Sequence, residues 1–201
     1  GDEREGVLGQ AAAEHLVEAR HAGGQPANLH PVLSLIRQDP RRAETALEDL
    51  ADLFRVVMGD SRELSPISRE VELCRQYLEL EQLRLGDRLK VAWRIDNMPH
   101  DALVPPLLLQ PLLENAVYHG VEPLEGAGVI DINIYRSRNQ VHMVLTNPYS
   151  ARAVSHQGNK MALNNIRERL MLHFDVEASL KTQVTEGGWQ VTIVLPYLES
   201  L

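Results

Sequence analysis

Residues 110–120 read Gln-Pro-Leu-Leu-Glu-Asn-Ala-Val-Tyr-His-Gly, and they set Glu114, Asn115 and His119 into an apolar helical run from Leu107 to Val117. At ~100° per residue, Asn115 and His119 fall one turn apart on one face, with Glu114 beside them. A core face should not carry three such groups without partners. A site at the edge of that core would explain them. Glu next to Asn suits a hard cation, since oxygen ligands hold Mg²⁺, usually alongside substrate phosphates. The other reading is a helix end with ordinary polar residues, and this stretch by itself leaves the two open.

Downstream the pattern is one of strands. Val91 to Ile95 alternates weakly, Val129, Ile130, Ile132 and Ile134 alternate better, and Val141, Met143 and Leu145 follow the Arg138-Asn139-Gln140 turn. Met161 to Phe174 reads as a helix. Leu180 and Val184, then Val191, Ile193 and Leu195, read as two strands around Glu186-Gly187-Gly188. With the 107–117 helix, the order is strand, helix, strand, strand, helix, strand, strand. That suits a mixed sheet with helices on one face, an α/β sandwich.

Upstream, residues 7–89 read as helices. Gly23-Gly24-Gln25-Pro26 breaks the first. Leu29, Val32, Leu33 and Ile36 form an amphipathic stripe that Asp39-Pro40 ends. Ala43, Ala46, Leu47, Leu50, Phe54 and Val57 form the next, closed by Gly59-Asp60. Such a hairpin leaves an apolar seam on each helix, and pairing two hairpins into a four-helix bundle covers both, which predicts a homodimer. A third helix is expected from about Ser68 to Leu85, burying Val71, Cys74 and Leu78 on one stripe and Leu73, Tyr77 and Leu80 on its neighbour. The expected organisation is α+β, with a helical region at 1–62 and an α/β domain, including its leading helix, at 63–201.

Bulk composition narrows the function classes. The chain has 201 residues, a formal charge of -8 and 4% aromatic residues. Nucleic-acid surfaces need basic patches and stacking rings, so direct nucleic-acid binding is not expected. The one cysteine, Cys74, lies in a helical pattern and reads as a core thiol of a cytosolic protein. No run approaches 18 apolar residues. The chain starts abruptly at Gly1, which leaves room for a membrane sensor upstream.

Several ordered motifs carry a family resemblance. Leu109 to Ala116, followed by His119-Gly120, resembles the N-box of LytS-type sensor histidine kinases. Tyr77-Leu78-Glu79 and Arg84-Leu85-Gly86-Asp87-Arg88-Leu89 resemble the helix leading into their ATPase domain. Gly158-Asn159-Lys160-Met161-Ala162-Leu163-Asn164-Asn165-Ile166-Arg167-Glu168-Arg169-Leu170 resembles their second glycine box and following helix. Gly187-Gly188, a strand and Leu195-Pro196 resemble the C-terminal end. Ala46 to Arg55 resembles the second helix of the dimerisation hairpin, closest to the AlgZ-like branch.

The resemblance implies the GHKL ATPase fold shared with gyrase and Hsp90, with ATP and Mg²⁺ as cofactors. It implies that Asn115 coordinates Mg²⁺, that Glu114 orients or deprotonates the attacking imidazole, and that Gly158 begins the lid and helix N-terminus facing the phosphates. His119 would sit near the phosphates or make a core-edge hydrogen bond. Gly120, Asn147 and Gly188 join the nucleotide-binding set. Lys160, Asn165 and Arg167 are candidate phosphate contacts, and Arg169 is expected in a surface ion pair. Asn147 stands where many ATPases of this fold carry the Asp of an Asp-x-Gly box, so it could accept the adenine amino proton through a neutral carbonyl.

The phosphoacceptor is where this chain departs. The family's Pro-His-Phe-Leu-Phe-Asn box, counted back without gaps from Ala46, puts the histidine at Gly23 or Gly24. A gapped alignment puts it at His30, a shift of about seven residues or ~10 Å along a helix. His30 and His21 are both candidates, and so is the lack of any acceptor. The implied function is autophosphorylation and relay to an aspartate on a response regulator, usually a LytTR-type DNA-binding one. The alternative is a nucleotide-binding scaffold that regulates its partner by conformation. Hydrolysis of the gyrase or Hsp90 kind would give no account of the hairpin at 29–58.

Overall fold

The computed structural model describes residues 63–149 and 156–199, together with Arg41. The expected hairpin, its dimerisation face, and His21 and His30 lie outside them.

Strand β1 (Ser65–Pro66) pairs antiparallel with β3 (Leu103–Val104) and leads into helix α1 (Ile67–Leu85). Gly86 ends that helix at φ 58, a conformation costly for other residues, and its N–H closes on the Gln82 carbonyl. The buried face of α1 is Ile67, Glu70, Val71, Leu73, Cys74, Tyr77, Leu78 and Glu81. Cys74 is the core thiol expected. Leu80 is only half-buried, and the carboxylates Glu70 and Glu81 occupy the apolar face in a way the sequence reading did not anticipate.

The main sheet has five strands in the order β2-β4-β5-β7-β6. They are β2 (Leu89–Arg94), β4 (Gly128–Ser137), β5 (Gln140–Asn147), β6 (Ser179–Thr185) and β7 (Gly188–Pro196). β2 and β4 are parallel, because helix α2 crosses between them, and every other pair is antiparallel. Alternation sets one face. Ile130, Ile132 and Ile134, then Val141, Met143 and Leu145, then Val191, Ile193 and Leu195 are buried. Against them lie α1, α2 (Gln110–Asn115) and α3 (His156–Phe174), the last through Leu163, Ile166, Leu170 and Phe174. The expected mixed sheet with helices on one face is the fold observed.

Helix boundaries moved. The run expected from Leu107 begins instead at Gln110, because Leu107 follows Pro105-Pro106 and sits at φ 56, where a helix cannot continue. The run also extends beyond Val117 as a π turn, Ala116–Val121. α3 starts at His156 rather than Met161, so Gly158 is its third residue. No helix among the described residues is long and apolar enough to cross a membrane.

Candidate functional site

The entry into α2 is held by two charged side chains. The carboxylate of Glu70, 2% exposed, accepts the N–H of Leu107 at 3.1 Å and of Leu109 at 2.9 Å. These are donors that a helix start otherwise leaves open. Burial pushes the Glu70 carboxyl above its ordinary range, against the backbone bonds, which pull it down. From α3, Arg169 donates to the carbonyls of Pro106 at 2.6 Å and Leu107 at 3.0 Å. Arg169 is therefore a backbone clamp and not the surface ion pair expected. The carbonyls before α2 turn away from the helix and need a donor, which Arg169 brings.

Glu114 is half-buried on α2. Its Oε1 accepts from Gln110 Nε2 at 3.4 Å, one turn earlier. Burial raises its carboxyl, the Gln110 bond opposes that, and the charge of Glu81 adds to it. Cys74 and Tyr77 on α1 also feel the Glu114 charge, so the carboxyl shares its surroundings with α1. Asn115, half-buried, closes α2. After it the backbone widens: Glu122 N–H bonds the Val117 carbonyl at 2.9 Å, an i→i+5 link. The 100° step that set Asn115 and His119 on one face applies to α2 and not to this wider turn. His119 is half-buried there, edge-on to the Tyr118 ring at 4.9 Å, and burial lowers its pKa.

Three sequence candidates from three separate elements meet at the end of β5. Gly120 lies against the Asn147 side chain: a Cβ at Gly120 would stand 2.5 Å from Asn147 Nδ2. Gly188, at φ 123, approaches the Asn147 backbone so closely that a Cβ would stand 2.1 Å from its carbonyl oxygen. Asn147 itself is buried and donates from Nδ2 to the Pro148 carbonyl at 2.8 Å. Lys160, Asn165 and Arg167 are exposed on α3, off its buried Leu163, Ile166 and Leu170 face, and Arg167 donates to Asn164 at 3.3 Å.

A second tie joins the far end of α1 to the residues after the π turn. Arg84 bonds Glu81 at 2.6 Å and also pairs with Glu122, while Arg88 donates to the carbonyls of Glu122 and Leu124 at 2.9 and 2.8 Å. Sequence reasoning missed Glu70 and Glu81 as members of this site. The available signal was their spacing: 70, 74, 77 and 81 step by four, three and four, which is one face of a helix.

Known proteins share this arrangement of sequence. The family model described as Histidine kinase matches residues 28–89. The sensor protein LytS of Oceanobacillus iheyensis is 32% identical over 183 residues, 84% of this chain. The chain belongs to the LytS-type histidine kinase family. Sensor histidine kinase YpdA of Escherichia coli is 28% identical over 84% of the chain, and the sensor histidine kinase/phosphatase LytS of Staphylococcus aureus is 26% identical over 85%. The chain spans about a third of the length of these curated relatives, 31% of the first two and 32% of the third. Among solved structures, a mycobacterial sensor histidine kinase MprB and the catalytic domain of histidine kinase ThkA each superpose with a TM-score of 0.50. Both cover 69% of the chain and 99% of their own, at 14% and 15% identity, which speaks for the fold alone.

Proposed function

We propose that this chain is a kinase core that binds Mg-ATP and passes the γ-phosphoryl group to a histidine, for relay to a response-regulator aspartate. The observation that carries this reading is the convergence of Gly120, Asn147 and Gly188 at the open end of β5, with Glu114 and Asn115 on the helix just before. Mg²⁺, when bound, neutralises phosphate charge. Among the described residues no group of three His, Cys, Asp or Glu gathers to hold an ion. Asn115 would hold it through its side-chain carbonyl, alongside phosphate oxygens, as one-protein-ligand Mg²⁺ sites do.

The chain's own residues do the rest. The N-terminus of α3, around Gly158, favours anions through its backbone N–H groups and dipole. Lys160, Asn165 and Arg167 follow on that helix as phosphate contacts. Glu114, its carboxyl raised by burial, orients the imidazole and takes its proton as the N–P bond forms and the bond to the β-phosphate oxygen breaks. His30 is the candidate acceptor, and the family match, which begins at residue 28, includes it and leaves out His21. The relatives' description as sensor proteins fits a kinase segment of a longer sensor. The proposal completes it as a cytoplasmic segment downstream of a membrane sensor, dimeric through the 29–58 hairpin, with a LytTR-type regulator as partner.

A second reading has one observation in its favour: the ungapped acceptor position is Gly23 or Gly24, where no phosphate can be held. On that reading the chain binds nucleotide and regulates its partner by conformation. Incubation with γ-labelled Mg-ATP separates the two. Acid-labile, alkali-stable label that disappears in His30→Ala establishes the kinase with a displaced acceptor. Nucleotide binding with no label on either protein establishes the scaffold.

A further inference from the structure

Phosphate and metal roles leave the base of the nucleotide without a partner other than Asn147. Beside Asn147 stands an aromatic pair. The rings of Tyr149 and Trp189 are 6.0 Å apart between centroids and 27° apart in plane, an offset stack. Trp189 is the register partner of Asn147 and packs on the core, on the face that also carries Val191 and Leu145. Tyr149 lies outside that core and is 46% exposed. A fixed indole thus backs an open phenol two residues from Asn147.

Asn147 is also held. Its Nδ2 donates to Pro148, Gly120 closes on the same side of the amide, and Gly188 closes on its backbone. The side-chain carbonyl, which takes no part in the Pro148 bond, is the group left to read a ligand, and it accepts from an amino group.

We infer that Tyr149, backed by Trp189, is the stacking platform for the nucleobase beside Asn147. The inference rests on the nucleotide site proposed above and adds the residues that hold the base. Stacking is indifferent to base identity, because every base has a π face.

Calorimetry with Mg-ATP, Mg-GTP and Mg-tripolyphosphate on the whole chain tests it. Tyr149→Leu is expected to weaken ATP and GTP alike by about tenfold and to leave tripolyphosphate unchanged. Tyr149→Phe, which keeps the ring, should bind as wild type does, and Trp189→Leu should fall between. ATP binding equal in wild type and Tyr149→Leu overturns the platform. So does a wild-type protein that holds tripolyphosphate as tightly as ATP, although the phosphate site would stand. A wild-type protein that binds neither removes the nucleotide site itself, and the platform with it.

Discussion

Glu70 and Arg169 grip one residue from two sides. The Glu70 carboxylate takes the N–H of Leu107, and the Arg169 guanidinium takes its carbonyl, at 3.1 and 3.0 Å. Leu107 needs holding. It sits at φ 56, a left-handed conformation that costs a non-glycine residue ~1–2 kcal/mol. The two grips come from α1, which leads into the domain, and from α3, and they meet where α2 begins.

Loss of either grip should therefore destabilise the domain. Arg169→Met and Glu70→Gln are each expected to cost about 1–3 kcal/mol in urea unfolding, the usual penalty for stranding buried partners. The double variant should cost less than the two together by more than ~0.5 kcal/mol, since both act on Leu107. Strict additivity would mean that the grips are independent.

The buried carboxylates also set a pH dependence. Glu70 and Glu81 both have raised values, chiefly from burial, with Arg84 pulling Glu81 the other way. A carboxyl raised in the folded state takes up protons on folding. Its contribution is complete below the unfolded value of ~4.3 and fades as pH rises through the folded value. Wild type should lose thermal stability relative to Glu70→Gln as pH rises above the ordinary carboxylate range, followed by circular dichroism. A gain in relative stability with rising pH would count against an elevated Glu70.

The two glycines beside Asn147 should behave differently. At Gly188 an alanine Cβ meets backbone, at φ 123, so Gly188→Ala should cost more than ~2 kcal/mol and disrupt the end of β7. At Gly120 the nearest obstacle is the Asn147 side chain, with the Pro148 carbonyl oxygen at 3.1 Å, so the clash breaks the Asn147 bond to Pro148 before it strains the strand. Gly120→Ala should cost less stability than Gly188→Ala and lose nucleotide affinity. Thermal melts beside calorimetry distinguish the two, and equal losses of stability would refute the distinction.

The β4–β5 turn offers a stabilising change. Arg138 alone of the two turn residues has positive φ, 54°, the II′ pattern in which glycine is preferred at that place. Arg138→Gly should raise stability by about 0.5–1 kcal/mol, less the bond from Arg136 if the loop shifts. A lowered melting temperature would show that the Arg138 side chain contributes more than its backbone costs.

Asn115→Ala should abolish Mg²⁺-dependent ATP binding without unfolding the domain. Nucleotide affinity in Mg²⁺ equal to wild type would remove Asn115 from the metal's ligands.

The strands were legible because alternation is local: Ile130, Ile132 and Ile134, or Val191, Ile193 and Leu195, declare their face within five residues. The Glu114-Asn115 pair was legible because polarity inside an apolar run is a local anomaly. Glu70 and Arg169 were not, because a charge in a sequence reads as a solvated side chain until its partner is known, and for Glu70 that partner is 39 residues away. The π turn was hidden for another reason. Its single extra residue leaves an apolar run looking like a longer helix. Trp189 carried no signal in the sequence, since nothing near it names Tyr149 as its neighbour.

Strand order has a consequence for how the protein is made. β5 sits between β4 and β7, and β7 follows α3 and β6 along the chain. A chain emerging from the ribosome can close the β4–β5 hairpin early, but Asn147 then still lacks Gly188 and Trp189. The cluster of Gly120, Asn147 and Gly188 is complete only after β7 has docked, so a nascent chain cannot assemble it before that strand is free to pair. On the proposed reading, nucleotide would then be held only by a finished domain.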